Sequence, residues 1–107
     1  MPEGQDVCAV EELMPGDMKC VLLGDTRVLL ANVAGKVYAT SDVCSHAFAF
    51  LSEGFLDGTV VECPLHGAQF DITTGKALSP PADTNLETYA VTAADGRIFV
   101  ASTDRTV

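Results

Sequence analysis

The chain has 107 residues, 48% of them hydrophobic, with six basic and fifteen acidic side chains and a formal net charge of −9. That length suits one compact domain with a modest core, for which a metal centre joining distant segments would add stability that apolar burial alone supplies poorly. The charge excludes a phosphate-backbone ligand as a first expectation and suits steering toward a basic patch on a partner protein.

Taken in chain order, the opening MPEGQDV lacks the basic flank and apolar stretch of a secretory signal. No apolar run approaches the roughly twenty residues of a membrane helix. The expectation is a cytoplasmic chain without a nucleic-acid or membrane partner. Residues 8–14 offer one helical turn, which Pro15-Gly16 would stop. Short apolar pieces bounded by Gly, Asp or Pro then predict strands over residues 18–23, 27–33, 36–40, 59–62, 68–72, 86–92 and 97–101. Ala34-Gly35, Asp57-Gly58, Thr74-Gly75 and Asp95-Gly96 read as turns between them, because glycine accepts the positive φ of tight hairpins. The fold class is therefore all-β, and residues 41–81 read as the stretch where regular strands give way to loops.

Within that stretch, Cys44-Ser45-His46 and Cys63-Pro64-Leu65-His66 form two thiol-plus-imidazole pairs, C-x-H and C-x-x-H, with sixteen residues between His46 and Cys63. Both histidines of the chain lie here. Tight spacing inside each pair lets one loop offer two ligands to one centre, and the intervening segment can bring the two loops face to face. A lone Cys is ordinarily a small buried hydrophobe and a lone His an ordinary hydrogen-bonded residue. Four together at this spacing read instead as a metal site. Two centres use two Cys and two His, namely tetrahedral zinc and the Rieske [2Fe–2S] cluster. Zinc fingers usually pair like with like, whereas each loop here mixes one of each.

The mixed arrangement, followed by Gly67, resembles the Rieske family over nearly the whole chain. The resemblance implies a Rieske-type antiparallel β-sandwich with a small loop-rich cluster-binding subdomain, residues 1–107 forming a single domain. It implies one [2Fe–2S] cluster, with Cys44 and Cys63 on the inner iron, His46 and His66 on the outer iron, and the histidine edges near solvent. Respiratory members carry an extra disulfide-forming Cys in each loop, where this chain has Ala49 and Leu65. They also place a Ser and a Tyr after the second His, where this chain has Ala68 and Phe70.

The length is similar to that of the stand-alone ferredoxins of bacterial ring-hydroxylating dioxygenase systems. That likeness implies a monomeric, non-enzymatic carrier that takes an electron from a flavin-containing ferredoxin reductase. It would deliver the electron to a terminal oxygenase with its own Rieske centre. Two alternatives stand beside it: the small Rieske subunit of an assimilatory reductase such as nitrite reductase, and a structural zinc domain. Cys8 and Cys20 have no nearby His and read as buried thiols. The apolar run 47–51 and Pro80-Pro81 are candidates for shielding the cluster from water. Asp42, Glu53, Asp57, Glu62 and Asp71 are candidate docking acids.

Overall fold

The segment Val28-Leu29-Leu30-Ala31 shows no alternation of apolar and polar residues because its strand is covered on both faces. In the computed structural model, which describes residues 4–44, 49–64, 67–79 and 85–102, this strand is β3 (Thr26–Val33). Val28 and Leu30 enter one buried cluster with Cys8, Leu13, Val21, Ile98 and Val100. Leu29 and Ala31, one residue out of phase, enter a second with Leu51, Val61, Phe70 and Ile72. Successive strand side chains point to opposite faces, so a strand buried on both reads as a continuous apolar run. Each fully buried leucine here stabilises the fold by roughly 1.5–3 kcal/mol.

Around β3 lies an antiparallel sheet of six strands. Its members are β1 (Gln5–Ala9), β2 (Met18–Leu23), β3, β4 (Lys36–Ser41), β9 (Thr88–Ala94) and β10 (Arg97–Ser102), in the order β1-β10-β9-β4-β3-β2. The predicted turns at Ala34-Gly35 and Asp95-Gly96 are two-residue hairpins with positive φ at both positions, 53° and 97° in the first and 54° and 76° in the second. Gln5 ties the two sheet edges together. Its amide donates to the Leu22 carbonyl at 3.0 Å, and its carbonyl oxygen accepts from the Gly24 N–H at 3.2 Å.

Between β4 and β9 the chain builds a second antiparallel sheet from β5 (Phe55–Asp57), β6 (Val60–Glu62), β7 (Gln69–Asp71) and β8 (Ala77–Ser79), paired in that order. Residues 41–81 are thus more regular than expected. Three residues show no period by themselves: β6 and β7 lie within the predicted pieces 59–62 and 68–72, whereas β5 and β8 lie within none. The helical turn expected over 8–14 also shrinks, to a 3-10 turn at Val10–Glu12. Cys8 and Ala9 belong instead to β1, where they pair with Ile98 and Arg97. A second 3-10 turn, Leu51–Glu53, follows the first ligand motif. No helix among the described residues is long and apolar enough to cross a membrane.

Candidate metal centre

Both cysteine motifs begin at the neck of a loop, and the two necks are built alike. Val43 bridges Phe50, and just inside that bridge the Cys44 N–H donates to the Ala49 carbonyl at 2.9 Å. Glu62 pairs with Gln69, and just inside that pair the Cys63 N–H donates to the Ala68 carbonyl at 2.8 Å. Each cysteine is therefore the first of six residues enclosed by its loop, with His46 third in one and His66 fourth in the other. His46 and His66 themselves lie outside the described residues. The C-x-H and C-x-x-H motifs thus start from the same neck geometry.

The two cysteines come from loops far apart in sequence yet share one buried cluster with Leu29, Ala31, Leu51, Ala68 and Phe70. Cys44 is 4% exposed and Cys63 1%. None of the four cysteines is joined in a disulfide. A cavity of about 220 Å³ lies beside Cys44, lined by Ser41, Val43, Asn85, Leu86 and Glu87. Gly54 allows the chain leaving the first loop to pass against the second, since a Cβ there would lie 2.0 Å from the Glu62 carbonyl oxygen and 3.0 Å from Cδ of Pro64. That close approach has no signature in the sequence beyond the glycine itself.

Of the candidate shielding residues, Leu51 is fully buried in the same cluster as the cysteines, while Phe50 is half-buried under the Arg27 guanidinium, whose Cζ stands 3.7 Å from the ring centroid. Ala47, Phe48 and Pro80-Pro81 lie outside the described residues, as does Leu65. Ala68 and Phe70 are both fully buried in the cluster that contains Cys63. Of the docking acids, Glu53 and Asp57 are exposed and Glu62 and Asp71 half-buried. Asp42 is a correction, since its side chain is wholly buried and ion-paired to Arg27 at 3.0 Å, so it presents nothing to a partner. A charged residue read from sequence goes to the surface by default, and only its partner in space shows otherwise.

Cys8 lies in the other core cluster, away from Cys44 and Cys63, and Cys20 is half-buried on β2. Burial pushes both thiols upward, with Glu12 adding to the effect at Cys8 and Asp42 at Cys20. Iron is bound by the thiolate, and these surroundings favour the protonated thiol. Cys8→Ser and Cys20→Ser should therefore keep the wild-type iron content and visible spectrum. Iron loss in either variant would demand a different ligand set.

An all-β frame with two paired loops, each opening on a buried cysteine and carrying one histidine in its sequence, is the class of protein in which a mixed Cys/His metal centre is expected. The description "Rieske [2Fe-2S] domain" matches residues 3–90. The naphthalene 1,2-dioxygenase system ferredoxin component of Pseudomonas aeruginosa is 39% identical over 95 residues, covering 89% of this chain and 91% of that protein. The ferredoxin of carbazole 1,9a-dioxygenase from Nocardioides aromaticivorans IC177 superposes with a TM-score of 0.90 at 30% identity, over 95% of this chain and all (100%) of that one. A chain from a complex of reduced oxygenase and oxidised ferredoxin in carbazole 1,9a-dioxygenase superposes with a TM-score of 0.87 at 37% identity, covering 95% of each. The chain belongs to the Rieske [2Fe–2S] family, and its cofactor is a Rieske [2Fe–2S] cluster. The donor set fits that group. Two buried thiols share one apolar cluster, and each loop carries a single histidine.

Proposed function

We propose that this chain is a soluble, cytoplasmic, monomeric ferredoxin of a ring-hydroxylating dioxygenase system. It takes one electron from a flavin-containing reductase and passes it to a terminal oxygenase with its own Rieske centre. Cys44 and Cys63 would hold one iron and His46 and His66 the other, all within residues 41–81 of a single domain spanning 1–107. The observation that carries this reading is the convergence of Cys44 and Cys63, at matched loop necks, in one buried cluster. When bound, the cluster supplies a one-electron couple. The chain's own residues would hold it and exclude water beside the thiols, since Leu51, Ala68 and Phe70 belong to the same buried cluster as Cys44 and Cys63. No residue is assigned a catalytic role, as the relatives named above are ferredoxin components and not oxygenases. Those relatives also favour this reading over a nitrite reductase small subunit.

Purified protein should be red-brown and contain iron and acid-labile sulfide in equal amounts. Colourless protein holding zinc would reverse the assignment. Electron transfer from a reductase should slow as ionic strength rises, because Asp57, Glu62 and Asp71 share the outward face of the small sheet, opposite the buried Val61 and Phe70. Salt screens such exposed charges over roughly 10 Å at 0.1 M. Stopped-flow rates that stay flat or rise between low and moderate salt would argue against electrostatic docking.

A further inference from the structure

The two ligand loops have matched necks but unequal support. Below Cys63 and Ala68 the strands continue as a regular ladder, Glu62 with Gln69, Val61 with Phe70 and Val60 with Asp71. Below Cys44 and Ala49 there is a single bridge, Val43 with Phe50, and then the two arms diverge, one into β4 and the other into the 3-10 turn at Leu51–Glu53. A ladder limits how far a hairpin tip can shift, and one bridge limits it far less.

Asp42 occupies the place where the ladder is missing. Its carbonyl accepts from the Leu51 N–H at 2.7 Å as the second backbone bond of the Val43–Phe50 bridge, and its side chain adds what the backbone lacks. Its carboxylate accepts from the Ser52 N–H at 2.7 Å through Oδ1, and from the Ser52 hydroxyl at 3.0 Å through Oδ2. Oδ2 also accepts from Nε and Nη2 of Arg27 at 3.1 and 3.0 Å. Arg27 in turn lies over the ring of Phe50, on the returning arm of the same loop. One fully buried carboxylate thus joins the outgoing arm, the returning arm and β3. Bonds to an ionised, desolvated acceptor are the stronger class of hydrogen bond.

We infer that Asp42 is a positioning residue for the cluster: with Ser52 and Arg27 it clamps the neck of the first ligand loop and so sets where Cys44 presents its sulfur. This rests on the cluster assignment above. The second loop needs no such clamp, because its ladder does the same work with backbone bonds.

The two matched amides provide an internal control. In Asp42→Asn, native-state hydrogen exchange at the Cys44 amide should quicken by about ten-fold or more, the equivalent of one lost bond to a charged group, while the Cys63 amide keeps its rate relative to the core. Reduced-state EPR of the iron-loaded variant should show displaced g-values. Ser52→Ala should shift both readouts in the same direction but less, as the backbone bond to Oδ1 remains, and Ser52→Thr should restore them. If Asp42→Asn does not fold, the Ser52 pair decides the matter alone. Equal acceleration at both amides would reduce Asp42 to a general stabiliser, and wild-type g-values beside a loosened loop would show that it does not position the ligand. Wild-type protein that held no iron–sulfur cluster would instead overturn the proposed function, while the exchange measurement would still report on the clamp.

Discussion

Replacing His46 or His66 by Ala or Cys will abolish the Rieske EPR signature, and replacing Cys44 or Cys63 by Ala will abolish cluster retention altogether. On the proposed ligand assignment, the outer iron would lose a neutral imidazole in the first case, and in the second the inner iron would lose one of its two protein thiolates. The matched necks make the loss specific. Cys44 and Cys63 stand at equivalent places in their loops, and neither loop contains a second cysteine. Cys8 lies in the other core cluster and cannot substitute. Iron analysis and low-temperature EPR of dithionite-reduced protein measure both effects. An unchanged signal in either histidine variant would remove that residue from the ligand set.

The second large effect concerns the reduction potential, expected at the low end of the Rieske range, about −150 mV on a scale reaching about +300 mV. A hydrogen-bond donor aimed at cluster or cysteine sulfur stabilises the added electron of the reduced state. Where respiratory members place a Ser and a Tyr, this chain has Ala68 and Phe70, both fully buried in the cluster of side chains around Cys63. Neither supplies a hydroxyl. The fifteen acidic side chains oppose a further negative charge, although solvent screening weakens the distant ones. Both effects point downward. Ala68→Ser and Phe70→Tyr should each raise the potential. A hydroxyl worth about 1.4 kcal/mol more to the reduced state than to the oxidised one corresponds to about 59 mV for a one-electron couple. Burial sharpens the test at Phe70, because a tyrosine hydroxyl there that finds no partner would cost about 1–3 kcal/mol of stability. A rise in potential without a fall in stability is the expected pair of results. A wild-type potential near the top of the range, or a double variant that does not move upward in voltammetry, would contradict the account.

Local chemistry accounts for what could be read directly. The turns at Ala34-Gly35 and Asp95-Gly96 follow from backbone preference over two adjacent residues. The longer strands appear in the sequence because five to eight residues suffice to show an apolar run; the five-residue β1 is the exception, since its mixed residues show none and its last two fall in the expected helical turn over 8–14. Strands β5 and β8 were illegible for the opposite reason. β6 and β7 are as short but fall within the longer apolar pieces 59–62 and 68–72, whereas β5 and β8 fall within none and become strands through pairing with β6 and β7. The four candidate ligands were legible because their chemistry and spacing lie within a few residues of one another.

The sequence by itself determined the all-β class, the candidate donors and the absence of hydroxyls at Ala68 and Phe70, since each depends on residue identity or on neighbours along the chain. Only the tertiary structure decided that Cys44 and Cys63 share one buried cluster, because their loops are joined through packing on β3 and the close approach at Gly54. It also decided the surroundings of Asp42. In the sequence that residue is one acid among fifteen, and its meaning comes from Arg27, fifteen positions earlier, and Ser52, ten positions later. A buried charge is tolerated only where partners converge on it, and convergence of distant segments is a property of the fold.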